Sequence, residues 1–97
     1  MRTLDDMMSQ LRHLQPELQR RYPIRQIGIF GSYVRGEQTE NSDLDVLVDL
    51  RAGMGLMELV GLKQDLSDAL GVNVDLVMKD ALKPRLGQRI LSEVVML

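Results

Sequence analysis

The sequence predicts an α/β domain in which a three-stranded mixed sheet is flanked by about four helices. Three observations predict it. Apolar residues recur at helical spacing near both ends and in the middle of the chain. Three short β-branched runs lie between them, at Ile24–Phe30, Leu44–Val48 and Val72–Met78. The first two runs are joined by a short polar link, which suits an antiparallel pair; the last two are joined by a helix, which suits a parallel one.

The elements follow in order. Leu4, Met7, Met8, Leu11 and Leu14 form a helical stripe, with Thr3 as N-cap and Asp6 in the capping-box position. Pro16 lacks a backbone N–H, so a break is expected near Gln15, with a second short helix through Arg21. Ile24 to Phe30 reads as a buried strand ending at Gly31. Ser32 to Gly36 reads as one helical turn, and 37–42 as a polar loop. Leu44, Val46 and Val48 alternate with Asp43, Asp45, Leu47 and Asp49, which is strand periodicity with one wholly apolar face. Arg51 to Gly55 is a glycine-containing loop. Leu56, Leu59, Val60, Lys63, Leu66 and Leu70 repeat as an amphipathic helix closed by Gly71. In the third strand Val72, Val74 and Leu76 share one face, Asn73, Asp75 and Val77 the other. Pro84 opens a last helix whose stripe runs through Leu86, Ile90, Leu91, Val94 and Val95.

The 97 residues fit a single domain, 1–97. A net charge of -2 gives no long-range pull toward nucleic acid or anionic lipid. The only aromatic residues are Tyr22, Phe30 and Tyr33, too few for a base-stacking platform, so no direct nucleic-acid binding is expected. The absence of cysteine excludes disulfides and thiolate metal sites. Acids precede any apolar run at the N-terminus, and no stretch reaches the roughly 18 apolar residues of a membrane span. A cytoplasmic protein without membrane association is the expectation.

The chemistry gathers at Gly31, Ser32, Asp43, Asp45 and Asp75. Asp43 and Asp45 are two apart on one strand and point to the same face, with Cα atoms about 6.6 Å apart at roughly 3.3 Å per residue. The predicted topology brings Asp75 to the same face from the neighbouring strand. Three clustered carboxylates repel one another unless a cation joins them. An all-oxygen set without His or Cys suits a hard divalent ion such as Mg²⁺ rather than zinc, and two ions about 3.5–4 Å apart are a known arrangement. Gly31 and Ser32 sit where a strand gives way to a helical turn, where backbone N–H groups attract phosphate. Asp-x-Asp on a half-exposed strand is usually a solvated face, and Gly-Ser at a strand end usually only a turn. The four residues at this fixed spacing arise by chance in about one chain in a thousand of this length. Arg35, one turn after Ser32, reads either as a structural ion pair or as a substrate contact. Asp49 reads as solvated and His13 as a surface residue. Met54 and Met57 are candidates for an adaptable contact surface. Lys79, Lys83, Arg85 and Arg89 read as a solvated face, or else as a phosphate- or partner-facing patch.

Phe30-Gly31-Ser32-Tyr33-Val34-Arg35-Gly36, followed by Asn41-Ser42-Asp43-Leu44-Asp45-Val46-Leu47-Val48, resembles the minimal nucleotidyltransferases of the DNA polymerase β-like superfamily. These are the antitoxin partners of HEPN ribonuclease toxins. The resemblance covers nearly the whole chain, and Asp75 stands where that family places its third acid. It implies an enzyme of polymerase β-like fold in which Asp43 and Asp45 hold Mg²⁺ and Asp75 completes the metal site or serves as base. It further implies that Gly31 and Ser32 hold the triphosphate. The substrate would be ATP, with AMP passing to a tyrosine hydroxyl of a HEPN-type toxin in a hetero-oligomer and pyrophosphate leaving. Two rival readings stand beside it: transfer to a small molecule, for which 97 residues offer no second domain to shape an acceptor pocket, and neutralisation of a partner by binding alone.

Overall fold

The computed structural model describes residues 2–51, 53 and 55–97. In chain order the elements are α1 (Leu4–Arg21), β1 (Ile24–Phe30), α2 (Ser32–Arg35), β2 (Leu44–Leu50), α3 (Leu56–Leu70), β3 (Val74–Met78), a 3-10 turn (Lys79–Ala81), α4 (Pro84–Glu93) and β4 (Val95–Met96). The sheet has four strands in the order β3-β2-β1-β4. As the connections predict, β1 and β2 are antiparallel and β2 and β3 parallel.

The fourth strand departs from the sequence expectation. Val94 and Val95 fit the spacing of the last helical stripe, yet Val94 takes extended angles and ends α4. The next residues pair antiparallel with β1, Val95 opposite Ile29 and Met96 opposite Gly28. Two consecutive β-branched residues favour extended backbone, and β1 had a free edge to satisfy. Gly28 permits the close approach, since a Cβ there would crowd the Val95 carbonyl and the Val94 and Met96 side chains.

The first helix also departs. It runs unbroken for 18 residues with Pro16 inside it. Pro16 lies on the exposed side, so its ring turns to solvent. Met7, Met8 and Leu11 before it and Leu18 after it are all buried against the sheet. Packing on both sides of the proline outweighs the lost hydrogen bond. The capping box at Thr3 and Asp6 is formed as predicted. The C-terminal end of α1 is tied to α3, where the Tyr22 hydroxyl donates to Asp65 at 2.5 Å and Arg21 pairs with the same carboxylate at 2.9 Å.

The sheet separates two cores. On one face, Leu44, Val46 and Val48 of β2 meet Met7, Leu11 and Leu18 of α1 and Leu62, Leu66 and Leu70 of α3. A register shift between Ile24 and Gln26 brings Ile24 into this core together with Ile27 and Ile29. The stripe of α3 is thus offset from the expected one: Leu56 and Val60 are exposed, and Leu62 takes their place inside. The opposite face carries a smaller core of Phe30, Leu47 and Ile90, with Val77, Leu82 and Val94 packed on it. There α4 lies over the sheet, burying Gly87 and Ile90 and leaving Leu86 and Leu91 exposed. Phe30 is the register partner of Asp45 and Gly28 of Leu47. The acid-bearing face of β2 is therefore the face that α4 only partly covers. Of the predicted contact pair, Met57 is 82% exposed, while Met54 and Ala52 of the preceding loop lie outside the described residues.

Candidate active site

Asp45 stands beside Asp75 in the parallel register of β2 and β3. Direct partners in a parallel pair point to the same side, so the two carboxylates share the face under α4. Asp43 lies two residues before Asp45 on the same side, just ahead of β2. Asn73 donates its Nδ2 hydrogen to Asp43 Oδ1 at 3.0 Å, linking the approaches to the two strands. Asp45 is half-buried, while Asp43 and Asp75 are exposed.

Gly31 closes the site from above. It ends β1 at φ 81°, ψ -148°, a region open in practice only to glycine. A side chain there would overlap the Asp45 carboxylate. Glycine thus serves twice: it allows the turn from strand into α2, and it lets the backbone rest on Asp45. Ser32 follows, half-buried, as the first residue of α2. Asp45 and Asp75 are thus side by side with Gly31 resting on Asp45, while Asp43 stands just ahead of β2 on Asn73 and Ser32 follows Gly31 at the start of α2.

Arg35, at the end of α2, forms ion pairs. Its Nε donates to Glu37 at 2.5 Å and its Nη1 to Glu93 at 3.0 and 3.1 Å. Of the two readings weighed for it, the structure gives the structural pair. Glu93 itself was not legible in the sequence. It is the last residue of α4, 62 positions from Gly31, and its Oε2 accepts the Gly31 N–H at 2.8 Å. No local pattern marks such a contact; only the three-residue step from buried Ile90 puts Glu93 on the packed side of α4. Asn73 reads in the sequence as lying on the Asp75 face of the third strand, but that strand begins only at Val74, and the contact of Asn73 with Asp43 is not foreseen.

The electrostatics match this crowding. The Asp45 carboxyl is raised above its ordinary value, first by burial, then by the charges of Asp75 and Asp43. Glu93 moves the other way. Partial burial pushes it up, but the Gly31 amide and the Arg35 guanidinium outweigh that and hold it below the usual range. A shallow cleft of about 160 Å³ opens here, lined by Gly31, Arg35, Asp45, Arg89 and Glu93 among others. Arg89 is the one member of the C-terminal basic group that reaches it. Lys79 lines a different cleft of about 570 Å³ at the other end of β2 and β3, with Arg25, Asp49, Arg51 and Asp80. That cleft contains none of the sequence-assigned residues. Asp49 is half-buried rather than fully solvated, and His13 is exposed.

Residues 11–97 match the nucleotidyltransferase domain family. The chain belongs to the nucleotidyltransferase domain family. It is 45% identical over 95 residues to the protein adenylyltransferase MntA of Thermococcus cleftensis, covering 98% of this chain and 96% of that one. The structure of a minimal nucleotidyltransferase superposes with a TM-score of 0.83 at 35% identity, covering 99% of this chain and 97% of the other. A toxin-antitoxin structure with AMP-PNP superposes at 0.70 with 28% identity, covering 96% of this chain and 70% of that one.

The residues of this nucleotidyltransferase fit a divalent cation by donor chemistry. The set is all carboxylate, and Asp45 is raised first by burial and then by the charges of Asp75 and Asp43, the second of which a hard cation relieves. Among the described residues no three His, Cys, Asp or Glu side chains stand close enough together to hold a metal ion, and Asp43 is hydrogen-bonded to Asn73. Among the described residues no helix is long and apolar enough to cross a membrane.

Proposed function

We propose that this nucleotidyltransferase is a magnesium-dependent protein adenylyltransferase that acts as an antitoxin. It transfers AMP from ATP to a tyrosine hydroxyl of a HEPN-type toxin held in a hetero-oligomer. The observation that carries the reading is the register of Asp45 against Asp75 with Gly31 pressed onto Asp45. Near full-length similarity to a protein adenylyltransferase supports the acceptor class. The fold shared with a toxin-antitoxin assembly supports the partner.

Asp43 and Asp45 would hold the magnesium, with Asp75 completing the set. When bound, the cation neutralises the triphosphate and draws charge from the α-phosphorus. The Gly31-Ser32 bend orients the phosphates, the Ser32 hydroxyl donating to a phosphate oxygen. The attacking tyrosine oxygen forms a bond to the α-phosphorus while the bond from that phosphorus to the bridging oxygen breaks. Pyrophosphate leaves on the opposite side, and Asp75, exposed beside Asp45, accepts the hydroxyl proton.

The test incubates the purified chain with each of four labelled triphosphates, magnesium and the product of the neighbouring gene. Label from ATP alone, on tyrosine, is the expected result. Asp43→Asn should lower labelling by at least a hundredfold with an unchanged circular-dichroism spectrum, since one anionic ligand is lost and the shape kept. Undiminished labelling by that variant would remove the metal assignment. If a triple variant of Asp43, Asp45 and Asp75 to Asn still neutralised the toxin, binding alone would be the mechanism. Labelling of a small molecule by the isolated chain would change the acceptor class.

A further inference from the structure

The Glu93 carboxylate joins two parts of the site at once. One contact is to the backbone N–H of Gly31, the residue that rests on Asp45; the other is to the guanidinium of Arg35, at the far end of α2. Glu93 therefore fixes both ends of the four-residue helix that begins with Ser32. A helix this short has little stability of its own and takes its orientation from what holds it. Gly31 is the weak point of that orientation. Its φ of 81° is one of several values glycine can adopt, so some contact must select it. The 2.8 Å bond from its N–H to Glu93 is that contact. Glu93 is itself anchored, because Ile90, one turn earlier on α4, is 5% exposed in the smaller core.

We infer that Glu93 is a positioning residue for nucleotide binding and transfer: it locks the Gly31-Ser32 bend over Asp45 through the Gly31 amide and holds Arg35 in place. The inference rests on the functional reading above for the reaction it serves, but its primary readout is nucleotide binding, which needs no acceptor. The geometry also decides which groups meet the phosphates. The Gly31 N–H is already satisfied by Glu93 and those of Val34 and Arg35 by the Gly31 carbonyl, so the backbone donors this bend leaves for the nucleotide are those of Ser32 and Tyr33. The contrary possibility is that Glu93 mimics a phosphate and has to be displaced. The two make opposite predictions for its removal: locking predicts weaker binding, displacement predicts tighter binding.

The experiment titrates the folded chain with magnesium and a non-hydrolysable ATP analogue, and follows the Gly31 amide by ¹H–¹⁵N correlation spectroscopy. In Glu93→Ala the Gly31 amide resonance should move upfield, its hydrogen exchange should accelerate, and analogue affinity should fall about tenfold or more. Glu93→Gln keeps a carbonyl acceptor for the amide but loses the charge facing Arg35. It should restore the Gly31 shift and part of the affinity, leaving binding weaker than in the wild type but stronger than in Glu93→Ala, an outcome a general loss of packing would not give. If Glu93→Ala does not fold, Glu93→Gln carries the test alone, with Arg35→Ala as its comparison. Glu93→Gln should then weaken binding in the wild-type background and have no further effect beside Arg35→Ala. Affinity unchanged or increased in Glu93→Ala, or in Glu93→Gln with Arg35 present, overturns the inference. A wild-type chain that binds the analogue but labels no protein removes the acceptor reading and leaves this inference standing.

Discussion

At the scale of single residues the site is an arrangement of close contacts that only certain side chains allow. Gly31 is the clearest case. Alanine there would bring a Cβ into the Asp45 carboxylate while holding a backbone region that L-residues avoid. Gly31→Ala should lower stability by about 1–2 kcal/mol from the backbone term alone. It should also remove measurable binding of the magnesium–ATP analogue, because Asp45 and the bend must part. Denaturant unfolding and calorimetric titration check the two effects separately; wild-type affinity in a folded variant would mean that the bend does not form the site. The residue scale is also where the sequence was most legible. Gly31, Ser32, Asp43 and Asp45 lie within fifteen positions, and strand periodicity alone sets the facing of the acids. Glu93 was hidden for the opposite reason, since its role depends on a contact across 62 positions.

At the scale of elements, local preference and tertiary packing compete, and α1 shows packing winning. Pro16 leaves the Arg12 carbonyl without its helical donor, yet the helix continues because buried residues on both sides hold it to the sheet. Pro16→Ala should therefore stabilise the protein. The gain is about 1–2 kcal/mol after allowing for the greater freedom of the unfolded chain, or a rise in Tm of roughly 4–8 °C per kcal/mol for a domain of this size. A fall in Tm would show that the proline suits a curvature the fold requires. The same competition explains what the sequence left unread. Composition located β1 as a β-branched and aromatic run, and periodicity located β2 and α3 from their apolar faces. Periodicity assigned Val94 and Val95 to a helix because a two-residue strand has no period of its own, and only the open edge of β1 decides it. It also placed Leu56 and Val60 inside, where helical spacing admits two overlapping stripes and the sheet selects the one through Leu62, Leu66 and Leu70.

At the scale of the whole molecule, the acid face sets stability against function. A small domain has a narrow stability margin, and here burying Asp45, and setting it beside Asp75 and Asp43, costs part of it. The folded-state value of Asp45 is raised above the ordinary 3.8. The native state therefore binds more protons than the unfolded chain between that value and the raised one, and stability falls as pH rises through this window. The penalty is then present in full at neutral pH and absent below the ordinary carboxylate value. Asp45→Asn removes it, so without magnesium the variant should melt higher than wild type at pH 7, and the difference should shrink as pH falls toward 4. Magnesium acts on the same charge. A ligand that binds the native state alone stabilises it in proportion to the logarithm of its concentration over Kd. Millimolar magnesium should raise the wild-type Tm and reduce the advantage of Asp45→Asn, while the variant itself barely responds. Paired melting curves with and without chelator, across pH 4 to 8, measure all of this in one series. A wild-type Tm indifferent to both pH and magnesium, equal to that of the variant throughout, would mean that the three carboxylates do not feel one another, and the case for a shared cation would lose its electrostatic basis.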